Sequence, residues 1–462
     1  MKITVIGGAG VRTVIFINGL LDRYKKLNID EVVLYDTDSE KLEIISRLCR
    51  HVVARRGFDL RVSTSEDAVN AVSGADYIVT TIRAGGDHSR VVDDEIALNA
   101  GVIGQETTGA GGFSMAVRTI PVLMEYCELI KIHAPHAWIF NFTNPSGLVT
   151  QALKNAGYER IIGICDAPSS TKYRMAKQLG VTQDQLSVEF FGLNHLSWIQ
   201  SVRVEGREVL QELLSDESFL ESVQEFSIFD PELLRTMGYL PNEYLYYYYH
   251  REKALNNIKK SGETRGKSIE LVNCRMMEEL KQMDLEKAPE EALQVFLYYM
   301  ALREESYMSI ETGHDKKEPI KKEPIKKGEL EVPDGMGYAG VMLDCIEGLQ
   351  SKEGRELVLS VQNNGCIEGL LDEDVIEVTC HVSKDGIVPV PVGKVPEHCY
   401  LLIRLIKMYE KLTVEAVKNH SKETAVRALT LHPLVNSYSL AKLLVEKYDL
   451  AYGGILGGCH AN

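Results

Sequence analysis

The chain has 462 residues, of which 45% are hydrophobic and 25% are charged, and this composition is typical of a soluble globular protein with two or three domains. Its formal net charge of -15 argues against nucleic acid and anionic membranes as partners, although a locally basic pocket can still bind a small anionic substrate. Nine scattered cysteines, no apolar run of membrane-spanning length and no signal-peptide pattern together predict a cytoplasmic protein with reduced thiols.

Short apolar strands alternate with helices in the first part of the chain. Strands are predicted over residues 3–6, 31–35, 59–63, 77–81, 137–141 and 161–164, and the first two helices over 14–21 and 39–56. This alternation is typical of βαβ units, which form a parallel sheet. We therefore predict an α/β fold in which residues 1–190 form a Rossmann-like dinucleotide-binding domain.

The pattern changes after residue 188, where the sequence VEFFGLNHLSWIQSVRVEG indicates a strand, a turn and a second strand. Further helices are predicted over 241–262, 266–284, 400–419 and 437–448, and strands over 356–361 and 375–382. The charged repeat KKEPIKKEPIKK at 316–327 is expected to be a solvated loop. Residues 191–462 are therefore predicted to form a mixed α+β catalytic domain, with a cleft between the two domains.

A glycine-rich turn follows the first predicted strand. Gly7, Gly8 and Gly10 stand between that strand and a helix, where backbone N–H groups can meet a dinucleotide pyrophosphate. Asp36 ends the second strand and is placed to accept a hydrogen bond from a ribose 2′-hydroxyl, which favours NAD over NADP. The spacing is not a full GxGxxG motif, so a plain tight turn is the alternative.

Eight segments in order along nearly the whole chain resemble one family, glycoside hydrolase family 4. The family members have a fold like that of lactate and malate dehydrogenases, and they cleave glycosides with NAD as a cofactor. Within the family, the resemblance is closest to the members that cleave 6-phospho-β-glucosides. The segments are GGAGVRT (7–13), TTIRAGG (80–86), VIGQETTGAGGF (102–113), NFTNPSG (141–147), GICDAP (163–168), GLNHLSW (192–198), LPNEYLYYYY (240–249) and VQNNGCIEG (361–369).

Cys165 and His195 are the predicted metal ligands. Cys165 follows an apolar strand, and ligands collect at the carboxyl ends of such strands in α/β sheets. A thiolate and an imidazole can share a divalent metal and leave positions open for substrate hydroxyls and water. A buried cysteine and a core histidine are the structural alternative. Both residues match the family motifs, and the resemblance implies a divalent metal, most typically Mn²⁺.

Tyr244 and Asp166 are the predicted catalytic residues. Tyr244 matches the base of the family pattern Pro-Asn-x-Tyr-Leu, whereas the tyrosines that follow it are expected to pack in the core or a groove. The resemblance implies that Asp166 protonates the leaving group. The sequence Cys-Asp-Ala-Pro departs from the patterns of both the α-specific and the β-specific members, so the preferred anomer stays open.

Arg83, Asn144 and Arg265 match substrate contacts of the family. Arg265 stands in the segment GETRG (262–266), and arginine can bind phosphate through two parallel hydrogen bonds. The alternative is a surface arginine that pairs with one of the many carboxylates. Arg12 stands in the glycine-rich turn where close relatives have a different sequence. Arg12 either contacts the phosphate or another part of the substrate, or its presence indicates that the sugar substrate carries no phosphate.

The resemblance implies hydrolysis of 6-phosphoglucosides, such as a phosphorylated disaccharide or an aryl glucoside, by a homodimer or homotetramer. In the mechanism that the resemblance implies, hydride would pass from C3 of the sugar to NAD⁺, Tyr244 would remove the C2 proton, and the aglycone would leave C1. Addition of water and return of the hydride would complete the reaction. Activity on 6-phospho-α-glucosides or on unphosphorylated α-glycosides is an alternative within the family. An NAD-dependent 2-hydroxy-acid dehydrogenase and a non-catalytic sugar-phosphate sensor are the alternatives outside it.

Overall fold

The computed structural model describes residues 1–305, 307–313, 330–332 and 337–457, so the predicted loop at 316–327 lies outside the described residues. The strands are β1 (Lys2–Ile6), β2 (Glu31–Tyr35), β3 (Arg61–Ser65), β4 (Tyr77–Thr80), β5 (Gly104–Gln105), β6 (Trp138–Asn141), β7 (Ile161–Gly163), β8 (Leu186–Leu193), β9 (Leu196–Val204), β10 (Arg207–Glu208), β11 (Leu240–Pro241), β12 (Arg355–Gln362), β13 (Val375–Ser383) and β14 (Gly386–Pro389). The helices are α1 (Thr13–Leu21), α2 (Ser39–Arg55), α3 (Ala68–Val72), α4 (Gly86–Asn99), α5 (Gly109–His133), α6 (Ser146–Asn155), α7 (Ala167–Leu179), α8 (Leu210–Ser215), α9 (Glu217–Ser222), α10 (Gln224–Ser227), α11 (Pro231–Met237), α12 (Tyr246–Tyr249), α13 (Arg251–Ser261), α14 (Arg265–Lys281), α15 (Pro289–Glu305), α16 (Ser309–Thr312), α17 (Tyr338–Gln350), α18 (Glu397–Asn419), α19 (Lys422–Leu431) and α20 (Tyr438–Ala451).

The larger sheet has nine strands in the described part of the chain, in the order β14-β13-β12-β7-β6-β4-β1-β2-β3. The six strands from β7 to β3 in this order are parallel to one another. Strands β1 and β4 are buried on both faces, as expected where helices cover both sides of a parallel sheet, and this burial explains why most of their residues are apolar. The predicted α/β, Rossmann-like fold is confirmed.

Strands β12, β13 and β14 extend this sheet in antiparallel fashion, with Ser360 opposite Gly163. They come from residues 355–389, and thus from the half of the chain that follows residue 190. A smaller sheet contains β8, β9, β10 and β11, and its strand β8 packs on β13, where the Phe190 N–H donates to Thr379 Oγ1 at 3.0 Å. The division of the chain into domains at residue 190 stays a prediction.

Several predicted bounds differ from the structure by one to three residues, and two of the differences have a structural cause. The third strand covers Arg61–Ser65 and not 59–63, because its parallel register with β2 begins at the pair Glu31 and Arg61. The predicted helix 241–262 is broken: Leu240–Pro241 pairs with β9, and His250 has the non-helical dihedral angles φ -126° and ψ 36° between α12 and α13. In both cases pairing with a distant strand overrides the local preference of the residues.

No helix in the described ranges combines the length and the apolar character that a membrane-spanning segment requires.

Candidate functional site

The predicted site residues collect at the carboxyl edge of the parallel strands. The glycine-rich turn follows β1, Asp36 follows β2, Arg83 follows β4, Asn144 follows β6, and Cys165 follows β7. Since β7, β6, β4, β1 and β2 are consecutive neighbours in the sheet, these loops lie side by side. This edge is where ligands bind in open α/β sheets.

The glycine-rich turn is tied to the end of β2. The N–H groups of Gly7 and Gly8 donate to the Tyr35 carbonyl at 2.9 and 2.8 Å, and the Ala9 N–H donates to the Asp36 carboxylate at 3.0 Å. Gly7 has a φ of 96°, and a Cβ atom there would collide with the carbonyl oxygen of Thr81. The buried Thr13 hydroxyl at the start of α1 has no hydrogen-bond partner in the structure. The N–H groups of Gly7, Gly8, Ala9 and Gly10 thus donate within the chain, and the unpaired hydroxyl at the helix start is the feature that fits a dinucleotide pyrophosphate.

The structure brings Cys165 and His195 together, with the Cys165 Sγ 3.4 Å from the His195 Nε2. Burial raises the pKa of the Cys165 thiol well above its ordinary value and lowers that of the His195 imidazole to about 4. The neutral imidazole therefore has a nitrogen lone pair for a metal, whereas a metal must displace the thiol proton. Among the described residues, no group of three or more histidine, cysteine, aspartate or glutamate side chains could hold a metal ion. The pair fits a metal with two protein ligands and open positions.

Tyr244 lies directly against His195. The two rings are stacked with their centroids 3.9 Å apart and an interplanar angle of 13°. The position of Tyr244 follows from the pairing of β11 with β9. Asn242, the residue after β11, donates its N–H to the Ser197 carbonyl at 2.9 Å, and its side chain accepts a hydrogen bond from the Tyr244 N–H at 2.9 Å. Burial, followed by the neighbouring Glu243 carboxylate, raises the pKa of the Tyr244 phenol. The phenol thus stays protonated unless a cation binds beside it.

Arg12 pairs with the predicted acid. Its guanidinium lies 3.4 Å from the Asp166 carboxylate and 3.7 Å from that of Glu304, and it stands over the Tyr338 ring at 5.4 Å from the centroid. Half of the Arg12 side chain is exposed, at 47%. The departure in the glycine-rich turn is therefore linked in space to the departure at Asp166, although the two lie far apart in the sequence.

Arginine side chains gather around one buried carboxylate. Arg83 and Arg90 lie 2.5 and 3.2 Å from the same Glu106 oxygen. Burial raises the pKa of Glu106, but Arg83, Arg90 and Arg265 together lower it well below its usual range. Arg265 begins α14, stands over the Tyr307 ring, and lines a cleft together with Arg90. The carboxyl groups of Asp94 and Glu311 line the same cleft, so its two arginines face acidic side chains as well as any anion that binds there.

The loop of Asn144 lies against that of Arg83, because the Ile82 N–H donates to Thr143 Oγ1 at 3.1 Å. In the described part of the chain, no hydrogen bond joins Asn144 to Arg83 or Arg265 directly. The structure therefore places Asn144 beside the predicted substrate contacts without linking it to them.

Four charged residues of the site were not predicted from the sequence. Glu106 and Glu243 stand inside family motifs in which other residues were singled out. Glu377 interrupts the apolar run of β13, and a charged residue in such a run indicates a buried side chain that forms specific polar contacts. Arg90 had no such sign, because it stands on α4 among many charged side chains.

Comparison with known proteins identifies the relatives of this chain. Residues 2–181 match the model of the family 4 glycosyl hydrolases, and residues 190–435 match that of their C-terminal domain. The 6-phospho-β-glucosidase BglT of Thermotoga maritima is 32% identical to this chain over 448 residues, or 97% of each chain. The structure of the T. maritima 6-phospho-β-glucosidase with manganese, NAD⁺ and glucose-6-phosphate aligns with a TM-score of 0.81 and 30% identity over 98% of both chains. A 6-phospho-α-glucosidase from gut microorganisms, solved with NAD and glucose-6-phosphate, aligns with a TM-score of 0.78 and 29% identity over 98% of both chains.

Proposed function

Since the chain belongs to family 4 of the glycosyl hydrolases, we propose that it hydrolyses 6-phospho-β-glucosides with NAD and a divalent metal, Mn²⁺ first among them, as cofactors. The observation that supports this most directly is the cluster of Cys165, His195 and Tyr244, in which a thiol and a stacked phenol flank one imidazole at the carboxyl edge of the sheet. A 2-hydroxy-acid dehydrogenase would have no use for this cluster.

The chemistry divides between the cofactors and the side chains of this chain. When bound, NAD⁺ and the metal would supply reversible hydride transfer at C3 of the sugar and polarisation of the oxygen on that carbon. Tyr244 would remove the C2 proton, which is acidic next to a carbonyl at C3. The pKa of its phenol would fall when a cation is held by Cys165 and His195. Asp166 or water would protonate the departing oxygen.

The 6-phosphate would bind at the cluster of Arg83, Arg265 and Asn144. Support comes from Arg83 and Arg265, which both lie close enough to Glu106 to lower the pKa of its carboxyl, so the two guanidinium groups are near one another. The β anomer follows BglT, the relative with 32% identity. The α anomer is the second candidate, because the 6-phospho-α-glucosidase from gut microorganisms aligns with 29% identity and a TM-score of 0.78.

A substrate panel tests the proposed specificity. p-Nitrophenyl α- and β-glucosides, each with and without a 6-phosphate, are assayed with NAD⁺, Mn²⁺ and a thiol reductant. The proposal expects turnover of the phosphorylated β-glucoside and no net formation of NADH. Faster turnover of the α-glucoside would reverse the anomer, equal turnover without phosphate would remove the phosphate site, and net NADH from malate or lactate would favour a dehydrogenase.

The metal requirement gives a separate prediction. Treatment with EDTA should abolish turnover and Mn²⁺ should restore it, and Cys165→Ser should bind Mn²⁺ more weakly because a hydroxyl is a poor substitute for a thiolate. The measurement is the Mn²⁺ dissociation constant from electron paramagnetic resonance of the free ion. Cys274→Ser is the control, because that thiol is exposed. Full activity after exhaustive chelation would refute the metal assignment.

A further inference from the structure

Glu377 is a buried carboxylate in the middle of β13. It is 1% exposed, and its neighbours Ile376 and Val378 are fully buried. A carboxylate in such a place is costly unless it is paired. In the part of the chain that the structure describes, Glu377 forms no ion pair. Its hydrogen bonds must therefore explain why a charged residue stands there.

Both hydrogen bonds of Glu377 go to the turn that presents His195. The Asn194 amide donates to one carboxylate oxygen at 2.9 Å, and the Ser197 hydroxyl lies 3.4 Å from the other. Asn194 precedes His195 and Ser197 follows it by two residues, so the Glu377 carboxylate connects the two sides of the turn between β8 and β9. The opposite end of the Asn194 side chain accepts from the Gly147 N–H at 3.3 Å, at the start of α6.

His195 needs such support because of its backbone conformation. Its φ of 62° lies in the left-handed region, which is uncommon for residues other than glycine. Asn194 has little space to move, since a Cβ atom on Gly147 would lie 2.9 Å from the Asn194 Cβ. Glu377 and Gly147 thus hold the residue before His195 from two sides.

We infer that Glu377 is a positioning residue that holds the turn from Asn194 to Ser197, so that the His195 imidazole faces Cys165 and the pair binds a divalent metal tightly. This inference rests on the metal site of the proposed function. Residues that orient a metal ligand through a second hydrogen bond commonly set metal affinity by 10- to 100-fold.

The test measures Mn²⁺ binding to the full chain after metal removal, by calorimetry and without substrate. Glu377→Ala should weaken Mn²⁺ binding by about 10- to 100-fold. Glu377→Gln keeps an oxygen that can accept from Asn194 and should recover most of the affinity. Asn194→Ala, at a less buried position, should reproduce the loss if Glu377→Ala does not fold. NAD⁺ affinity should be unchanged in all three.

Glu347→Gln is the matched control, because Glu347 on α17 is also a buried glutamate but forms ion pairs with Arg355 and Lys26. Mn²⁺ affinity of a folded Glu377→Ala or Asn194→Ala variant equal to that of the wild type would overturn the inference, and so would an equal loss in Glu347→Gln. If Cys165→Ser also binds like the wild type, the metal site itself fails; if only Cys165→Ser is weakened, the fault lies with the role of Glu377 alone.

Discussion

At the scale of the residue, the hydroxyl of Tyr244 separates the proposed elimination from a direct displacement at C1. Tyr244→Phe removes only this hydroxyl and keeps the ring on His195, so the fold should persist while kcat falls by about 10²–10⁴-fold, the usual contribution of a general base. The measurement is kcat on the phosphorylated substrate, together with deuterium incorporation at C2 of the product in D₂O. A product without deuterium after complete turnover would contradict a role of Tyr244 in removing the C2 proton.

Tyr246→Phe is the control for Tyr244. The Tyr246 ring is buried against Phe229 and His250, so it serves packing, and the loss of its hydroxyl should change kcat by less than about threefold. A similar fall in both variants would indicate damage to the packing of the tyrosine segment and not the loss of a base.

At the scale of the element, the turn between β1 and α1 depends on the close approach of its backbone to β4. Gly7→Ala combines a left-handed φ, which costs about 1–2 kcal/mol, with a collision against the Thr81 carbonyl oxygen, which adds about 1–3 kcal/mol. We expect a lower free energy of unfolding in denaturant and weaker NAD⁺ binding.

Gly57→Ala isolates the first of these two terms. Gly57 has a φ of 70° after α2, and a Cβ atom there would meet nothing within 4 Å. The substitution should cost only the conformational term of about 1–2 kcal/mol and leave NAD⁺ binding unchanged. Equal losses of stability in the two variants would show that Thr81 moves away at little cost.

At the scale of the whole molecule, buried carboxyl groups make stability depend on pH. Burial raises the pKa of Asp94 from 3.8 to about 7. The Asp94 side chain accepts a hydrogen bond from the Gly266 N–H and so connects α4 to α14. The folded-state pKa lies above the unfolded one, so folding favours the protonated form. The stability that Asp94 contributes is complete below about pH 4 and is lost as the pH rises to about 7.

Asp94→Asn should remove this dependence, since an amide keeps the acceptor for Gly266 without titrating. Between pH 5 and pH 8, the wild type should lose roughly 2–3 kcal/mol more free energy of unfolding than the variant. Asp372→Asn, at an exposed position, is the control and should follow the wild type. Parallel curves for the wild type and Asp94→Asn would mean that the Asp94 carboxyl is ionised in the folded protein at pH 5.

The sequence by itself determined the parallel sheet, the glycine-rich turn at its edge and the loops that hold the candidate residues. These features are local: apolar runs of strand length, helical periodicity and glycine at a turn each follow from a few neighbouring residues. The pairing of Cys165 with His195 was also expected, because each stood in a motif of one family, and the structure brings the two side chains to 3.4 Å.

Only the tertiary structure decided the contacts between distant segments. It joined β12 to β7, broke the predicted helix so that Tyr244 stacks on His195, paired Arg12 with Asp166, and set Glu377 beneath the turn of His195. The spacing of apolar residues shows which face of a helix or strand is buried, but it does not show which other helix or strand packs against that face. Which elements pack against each other depends on the packing of the whole chain, so these contacts could not be predicted from the sequence alone.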